Sequence, residues 1–208
     1  MGNTTIVEEM PPPEAAVTAV DEKAEKTFLG FWIYLMTDLL MFGGLFAAFA
    51  VLRTNTFGGP SGRDIIELPY ILAETLILLV SSFLCGLSVL SAINGQSKRV
   101  IWFLGITFLL GATFLGMEVH DFHHLFVEGD TVQRSGFLTS YWSLVGTHGL
   151  HITVGLLWMS ILWVYISTKG LTEGAKRKLT LLGIFWHFLD LVWIFIFTIV
   201  YLLGVLKP

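Results

Sequence analysis

Residues 179–206 read LTLLGIFWHFLDLVWIFIFTIVYLLGVL, with His187 and Asp190 near the middle. A membrane-spanning helix needs about 20 apolar residues, and this stretch exceeds that length. The two ionisable residues are three apart, so they share one helix face. An ionisable group at that depth costs at least ~2.5 kcal/mol on insertion scales. A chain keeps such a pair only where it faces protein, water or a partner. The pair therefore marks a place where function is to be sought.

Four more segments have the same character, at about 28–52, 69–93, 100–124 and 139–166. The predicted fold class is therefore all-α: a polytopic membrane protein with a bundle of five transmembrane helices, occupying residues 28–208. Composition agrees. Of 208 residues, 54% are hydrophobic and 13% charged, about half the charged share of a soluble domain. Mean hydropathy is +0.75, which leaves little mass for a domain outside the bilayer. Pro69 suits the first turn of the second helix. No basic face is present, so nucleic acid is excluded as a partner. Cys85 stands alone and cannot form an intramolecular disulfide.

Residues 1–27 carry six carboxylates against Lys23 and Lys26, and include Pro11-Pro12-Pro13. This composition predicts a disordered tail. It lacks the basic start and apolar core of a signal peptide. Glu22 and Lys26 are spaced for an i,i+4 pair, which predicts a short interfacial helix at the entry to the membrane. Lys and Arg set the orientation. Lys23, Lys26, Lys98, Arg99, Lys169, Lys176, Arg177 and Lys178 fall on one side, against Arg53, Arg63, Arg134 and Lys207 on the other. The N-terminus is thus expected in the cytoplasm and the C-terminus in the periplasm.

A rise of ~1.5 Å per residue gives each ionisable group a depth. Asp38, His148, His151, His187 and Asp190 all fall near the midplane. They read either as a polar network holding three helices together or as a proton relay or cofactor site. A second layer lies near the outer face: Glu67 and Glu74 at the start of the second helix, and Glu118, His120, Asp121, His123 and His124 at the end of the third. Glu74, Glu118, His120, Asp121, His123 and His124 are expected to contact lipid headgroups or a neighbouring subunit. His120, His123 and His124 form the HxxHH pattern of a histidine box. A di-iron site built from such boxes needs about eight histidines, whereas this chain has six. No metal site is expected. Gly43, Gly44, Gly146, Gly149 and Gly155 read as positions of close helix approach.

Several long motifs in order then point to a family. GTHGLHITVGLLWM at 146–159 and FWHFLDLVWIFIFTIVYLLG at 185–204 resemble the last two helices of subunit III of the haem-copper respiratory oxidases. LGFWIYLMTD (29–38), ELPYILAET (67–75), GMEVHDFHHL (116–125) and RSGFL (134–138) match as well. The bo-type ubiquinol oxidases resemble it most, because their subunit III has five helices where the mitochondrial type has two more at the N-terminus. Asp38 stands where cytochrome c oxidases carry a carbodiimide-reactive glutamate, so that reactivity is not carried over.

The resemblance implies a subunit without catalytic, cofactor-binding or metal residues of its own. Haem, copper and the quinol site would belong to subunit I, with subunits II and IV in the same complex. The complex would oxidise ubiquinol, reduce oxygen to water and pump protons across a bacterial inner membrane. This chain would pack on subunit I, bind phospholipid and support assembly and stability. The alternatives are a related subunit of a menaquinol, cytochrome c or nitric-oxide-reductase-type complex, a self-contained metalloenzyme, and a proton-coupled transporter. A transporter would conduct in liposomes without partners, and Asp38→Asn would abolish that.

Overall fold

The computed structural model describes residues 13–56 and 68–202. Among them the secondary structure is helical: α1 (Pro13–Leu52), α2 (Leu68–Ile93), α3 (Ser97–Val127), α4 (Gly136–Lys169) and α5 (Glu173–Ile196), with a π-helical turn at Phe197–Leu202. Five helical stretches are long and apolar enough to cross a membrane: Glu25–Leu52, Leu68–Ile93, Ser97–Val127, Gly136–Lys169 and Glu173–Leu202. The chain is thus an all-α, multi-pass membrane protein.

The helices run further than the apolar segments predict. α1 takes in residues 13–27, which the composition assigned to a tail. Lys26 donates to Glu22 across one turn at 3.0 Å, as the i,i+4 spacing predicts. α5 starts six residues before Leu179, because Thr172 caps it by accepting from the Ala175 N–H at 3.2 Å. Ser135 caps α4 in the same way, accepting from Leu138 N–H at 3.1 Å. At the other end of α4, Gly170 has φ +76°, a conformation that costs a residue with a Cβ. Residues 1–12, the segment 57–67 with Glu67, and the C-terminal residues 203–208 lie outside the described residues.

The chain divides into two compact units, Met1–Asp38 and Leu39–Pro208. In the first, the described residues belong to α1, and Thr37 Oγ1 donates to the Tyr34 carbonyl at 2.7 Å. In the second, α2 packs on α3, α3 on α4, α4 on α5, and α5 back on α2. Four helices therefore close a ring. Small residues let them approach. A Cβ at Gly111 would lie 2.8 Å from the Trp186 ring, and one at Gly155 would lie 3.0 Å from it. Trp186 thus fills a notch that two glycines on α3 and α4 leave open. Its Nε1 donates to Ser81 Oγ on α2 at 3.1 Å. Ser81 in turn donates to the Thr107 carbonyl on α3 at 3.3 Å. One indole on α5 so ties all four helices of the ring. The end of α1 joins the same unit through rings: Phe49 lies 6.0 Å from Phe137, and Phe46 6.3 Å from Phe195.

Candidate functional site: a polar seam between two transmembrane helices

α2 carries a run of small polar residues, Ser81, Ser82, Cys85, Ser88 and Ser91, on its buried face. Recurring every three or four positions, they occupy one stripe. Ser82 lies where that stripe meets α5. Its Oγ is 2.6 Å from His187 Nδ1. Asp190, one turn further along α5, interacts with the same hydroxyl. Ser82 thus joins the two halves of the pair that mark the last helix. Gly86 lies beside it: a Cβ there would stand in ordinary contact, 3.6 Å from His187 Nε2.

The five midplane residues differ in their surroundings. Asp38 is buried on α1, in the unit Met1–Asp38, where it shares a hydrogen bond with Tyr34 one turn back. His148 is fully buried, yet neither ring nitrogen has a hydrogen-bond partner among the described residues. Aromatic rings surround it instead. Trp193 stacks on it at 5.3 Å, and Phe114 and Phe42 meet it edge-on at 6.2 and 6.4 Å. Trp193 is itself fixed by its Nε1 donating to Thr75 Oγ1 on α2 at 3.1 Å. His151 is half-buried and gives its Nδ1 hydrogen to the Thr147 carbonyl at 2.7 Å, within its own helix. His187 is exposed and Asp190 half-buried. His187 and Asp190 both meet Ser82, and His148 and His151 both meet the Phe42 ring, at 6.4 and 5.3 Å.

The outer layer divides too. Glu74 and Glu118 are 1% and 4% exposed, so they face the helix interior rather than lipid or another subunit. Depth alone could not reveal this, since it gives no face. Glu118 continues the buried stripe Gly111, Phe114, and Glu74 sits between Ile71 and Leu78. The Glu118 carboxylate lies against Gly149, where a Cβ would be 2.8 Å from Oε1. Neither Glu118 oxygen has a hydrogen-bond partner among the described residues. His120, His123 and His124 are exposed, and Asp121 is half-buried. His124 Nδ1 lies 3.5 Å from Glu128, and His120 Nδ1 3.8 Å from Asp121. Among the described residues no group of three or more His, Cys, Asp or Glu side chains could hold a metal ion. What the geometry offers among the described residues is helix packing with a polar seam where α2 meets α5.

Ser82, Thr75 and Trp193 were missed by sequence reasoning. The serine stripe on α2 was the legible signal, because small polar residues in an apolar helix face other helices rather than lipid.

Comparison with known proteins is consistent with this picture. A family model described as Cytochrome c oxidase subunit III matches residues 16–205. The cytochrome bo(3) ubiquinol oxidase subunit 3 of Pseudomonas aeruginosa is 56% identical over 180 residues, 86% of each chain. Its counterpart in Pseudomonas putida is 51% identical over 185 residues, 89% of each chain. The quinol oxidase subunit 3 of Bacillus subtilis is 40% identical over 183 residues, covering 88% of this chain and 90% of that one. The matched stretch takes in all five helices, from within α1 to beyond the π-helical turn, and the chain belongs to the cytochrome c oxidase subunit III family.

Proposed function

We propose that this chain is the non-catalytic third subunit of a haem-copper quinol oxidase, a complex that oxidises ubiquinol, reduces oxygen to water and pumps protons. The observation that carries this reading is the 56% identity to a ubiquinol oxidase subunit 3 over 86% of both chains. The site chemistry supports it. Glu74, Glu118 and His148 are buried among the helices, where they serve packing. In this reading haem and copper belong to subunit I, which is the main contact, with subunits II and IV in the same assembly and phospholipid bound at its edges. The distribution of Lys and Arg supports a cytoplasmic N-terminus and a periplasmic C-terminus in a bacterial inner membrane.

The test is purification from membranes with the neighbouring chains intact. The expected result is a stoichiometric complex with a haem spectrum and quinol-driven oxygen uptake. A chain that purifies alone as a stable monomer, and never with a haem protein, overturns the reading. A second reading, a complex fed by cytochrome c, is favoured by the description of the matching family model. Oxygen uptake driven by reduced cytochrome c, and not by quinol, would select it.

A further inference from the structure

A groove of about 610 Å³ runs between α3 and α4 on the exposed side of the bundle. Ile106, Phe108 and Leu109 line it from α3, and Val164 from α4. The polar groups along it are already engaged. Trp163 Nε1 donates to the Ile101 carbonyl at 3.1 Å, and Ser160 Oγ to the Leu157 carbonyl at 2.8 Å. The groove therefore offers an occupant apolar contact along its length.

Its mouth is different. Lys98 stands one turn before Ile101 and Trp102, on the stripe of α3 that lines the groove, and Arg99 stands one turn before Trp102. Both cations are exposed and pair with no described carboxylate. Nearby cations on the α4–α5 connection are engaged: Lys169 and Lys178 lie over the Tyr165 ring at 5.9 and 5.7 Å, and Lys176 donates to Glu173 at 2.8 Å. Trp102 is exposed beside Lys98 and Arg99, and its indole N–H donates to no described residue. A tryptophan at the end of a spanning helix marks the membrane–water interface. The groove thus begins at headgroup level, under two unmatched positive charges, and descends into hydrocarbon. An apolar helix would fill it and leave both charges unmatched. A phospholipid with net negative charge matches both parts.

We infer that the α3–α4 groove is a binding site for an anionic phospholipid, whose acyl chain lies in the groove and whose headgroup is held by Lys98, Arg99 and the Trp102 indole N–H. In the proposed orientation this lipid belongs to the cytoplasmic leaflet. The inference deepens the lipid role in the proposed function by giving it a site and a headgroup charge, and it rests on that reading for the complex in which it is tested.

The test uses the intact complex in phosphatidylcholine nanodiscs. Phosphatidylglycerol or phosphatidylcholine carrying a diazirine on one acyl chain is added, and photo-adducts are mapped by peptide mass spectrometry. The phosphatidylglycerol probe is expected to label residues 101–109 and 160–164 well above the phosphatidylcholine probe. One cation near an anionic headgroup is worth about fivefold in affinity. Lys98→Gln with Arg99→Gln should therefore cut phosphatidylglycerol labelling about 25-fold and leave phosphatidylcholine labelling unchanged. Arg53→Gln, at the opposite end of the bundle, should change neither. Ser160→Phe, which fills the groove, should lower labelling there by both probes. Equal labelling by the two probes in the wild-type complex overturns the inference, because it shows bulk lipid contact only, and this comparison decides even if a variant fails to assemble. Phosphatidylglycerol labelling unchanged by the double variant overturns it too, as does a groove that neither probe reaches because another subunit covers it. If the complex carries haem but the probes label equally, the groove alone fails. If the probes discriminate but no haem protein accompanies the chain, the quinol oxidase reading alone fails.

Discussion

Ser82 Oγ lies 2.6 Å from His187 Nδ1, so a hydroxyl on α2 and an imidazole on α5, 105 residues apart, share one hydrogen. Interhelical hydrogen bonds in membranes are modest, averaging ~0.6 kcal/mol with a maximum of ~1.7. Ser82→Ala removes this bond and the interaction of the hydroxyl with Asp190 together. A loss of about 1–2 kcal/mol is expected, read as a lower midpoint when the purified complex is denatured in SDS. A midpoint equal to wild type would show that the seam is held by apolar packing alone.

Asp190→Leu should impair assembly more than chemistry, and so should His187→Leu. Both residues sit on the α2–α5 seam, and neither approaches a group that could hold a metal among the described residues. Blue-native gels should show less of this chain in the complex. The assembled fraction should keep its oxygen uptake per haem. Full assembly with lost oxygen reduction would contradict the packing role.

Gly111 faces Trp186 so closely that a Cβ would stand 2.8 Å from the indole. Overfilling a packed core costs about 1–3 kcal/mol, so Gly111→Ala should destabilise by that order. Trp186→Phe shrinks the ring that Gly111 accommodates. The double variant should therefore be less destabilised than the sum of the two singles. Strict additivity in SDS denaturation would mean the two positions do not meet.

The HxxHH run should bind no stoichiometric metal. His120 and His124 side chains are 73% and 66% exposed, each beside a single carboxylate, Asp121 on the same helix and Glu128 just past its end. Replacing His120, His123 and His124 with alanine should leave the iron and copper content of the purified complex unchanged. A stoichiometric loss of iron in elemental analysis would restore the metalloenzyme alternative.

The number and placement of the helices were written in the chain, because crossing a bilayer demands long apolar runs whatever the neighbours are. The family was legible for a related reason: FWHFLDLVW and GTHGLHITVG are long ordered strings that survive without coordinates. The cost of His187 and Asp190 was visible too, since desolvation depends on depth and depth follows from position along a helix. Which way each side chain points was not. His148 and His151 share a helix and a depth, yet one is caged by Trp193, Phe114 and Phe42 and the other bonds its own backbone. Glu74 and Glu118 read as outer contacts from depth, and packing turned them inward. The tertiary structure alone supplied Ser82, because a hydrogen bond between helices depends on their rotation and register. Those are set by contacts such as Trp186 in its glycine notch, between residues far apart in sequence.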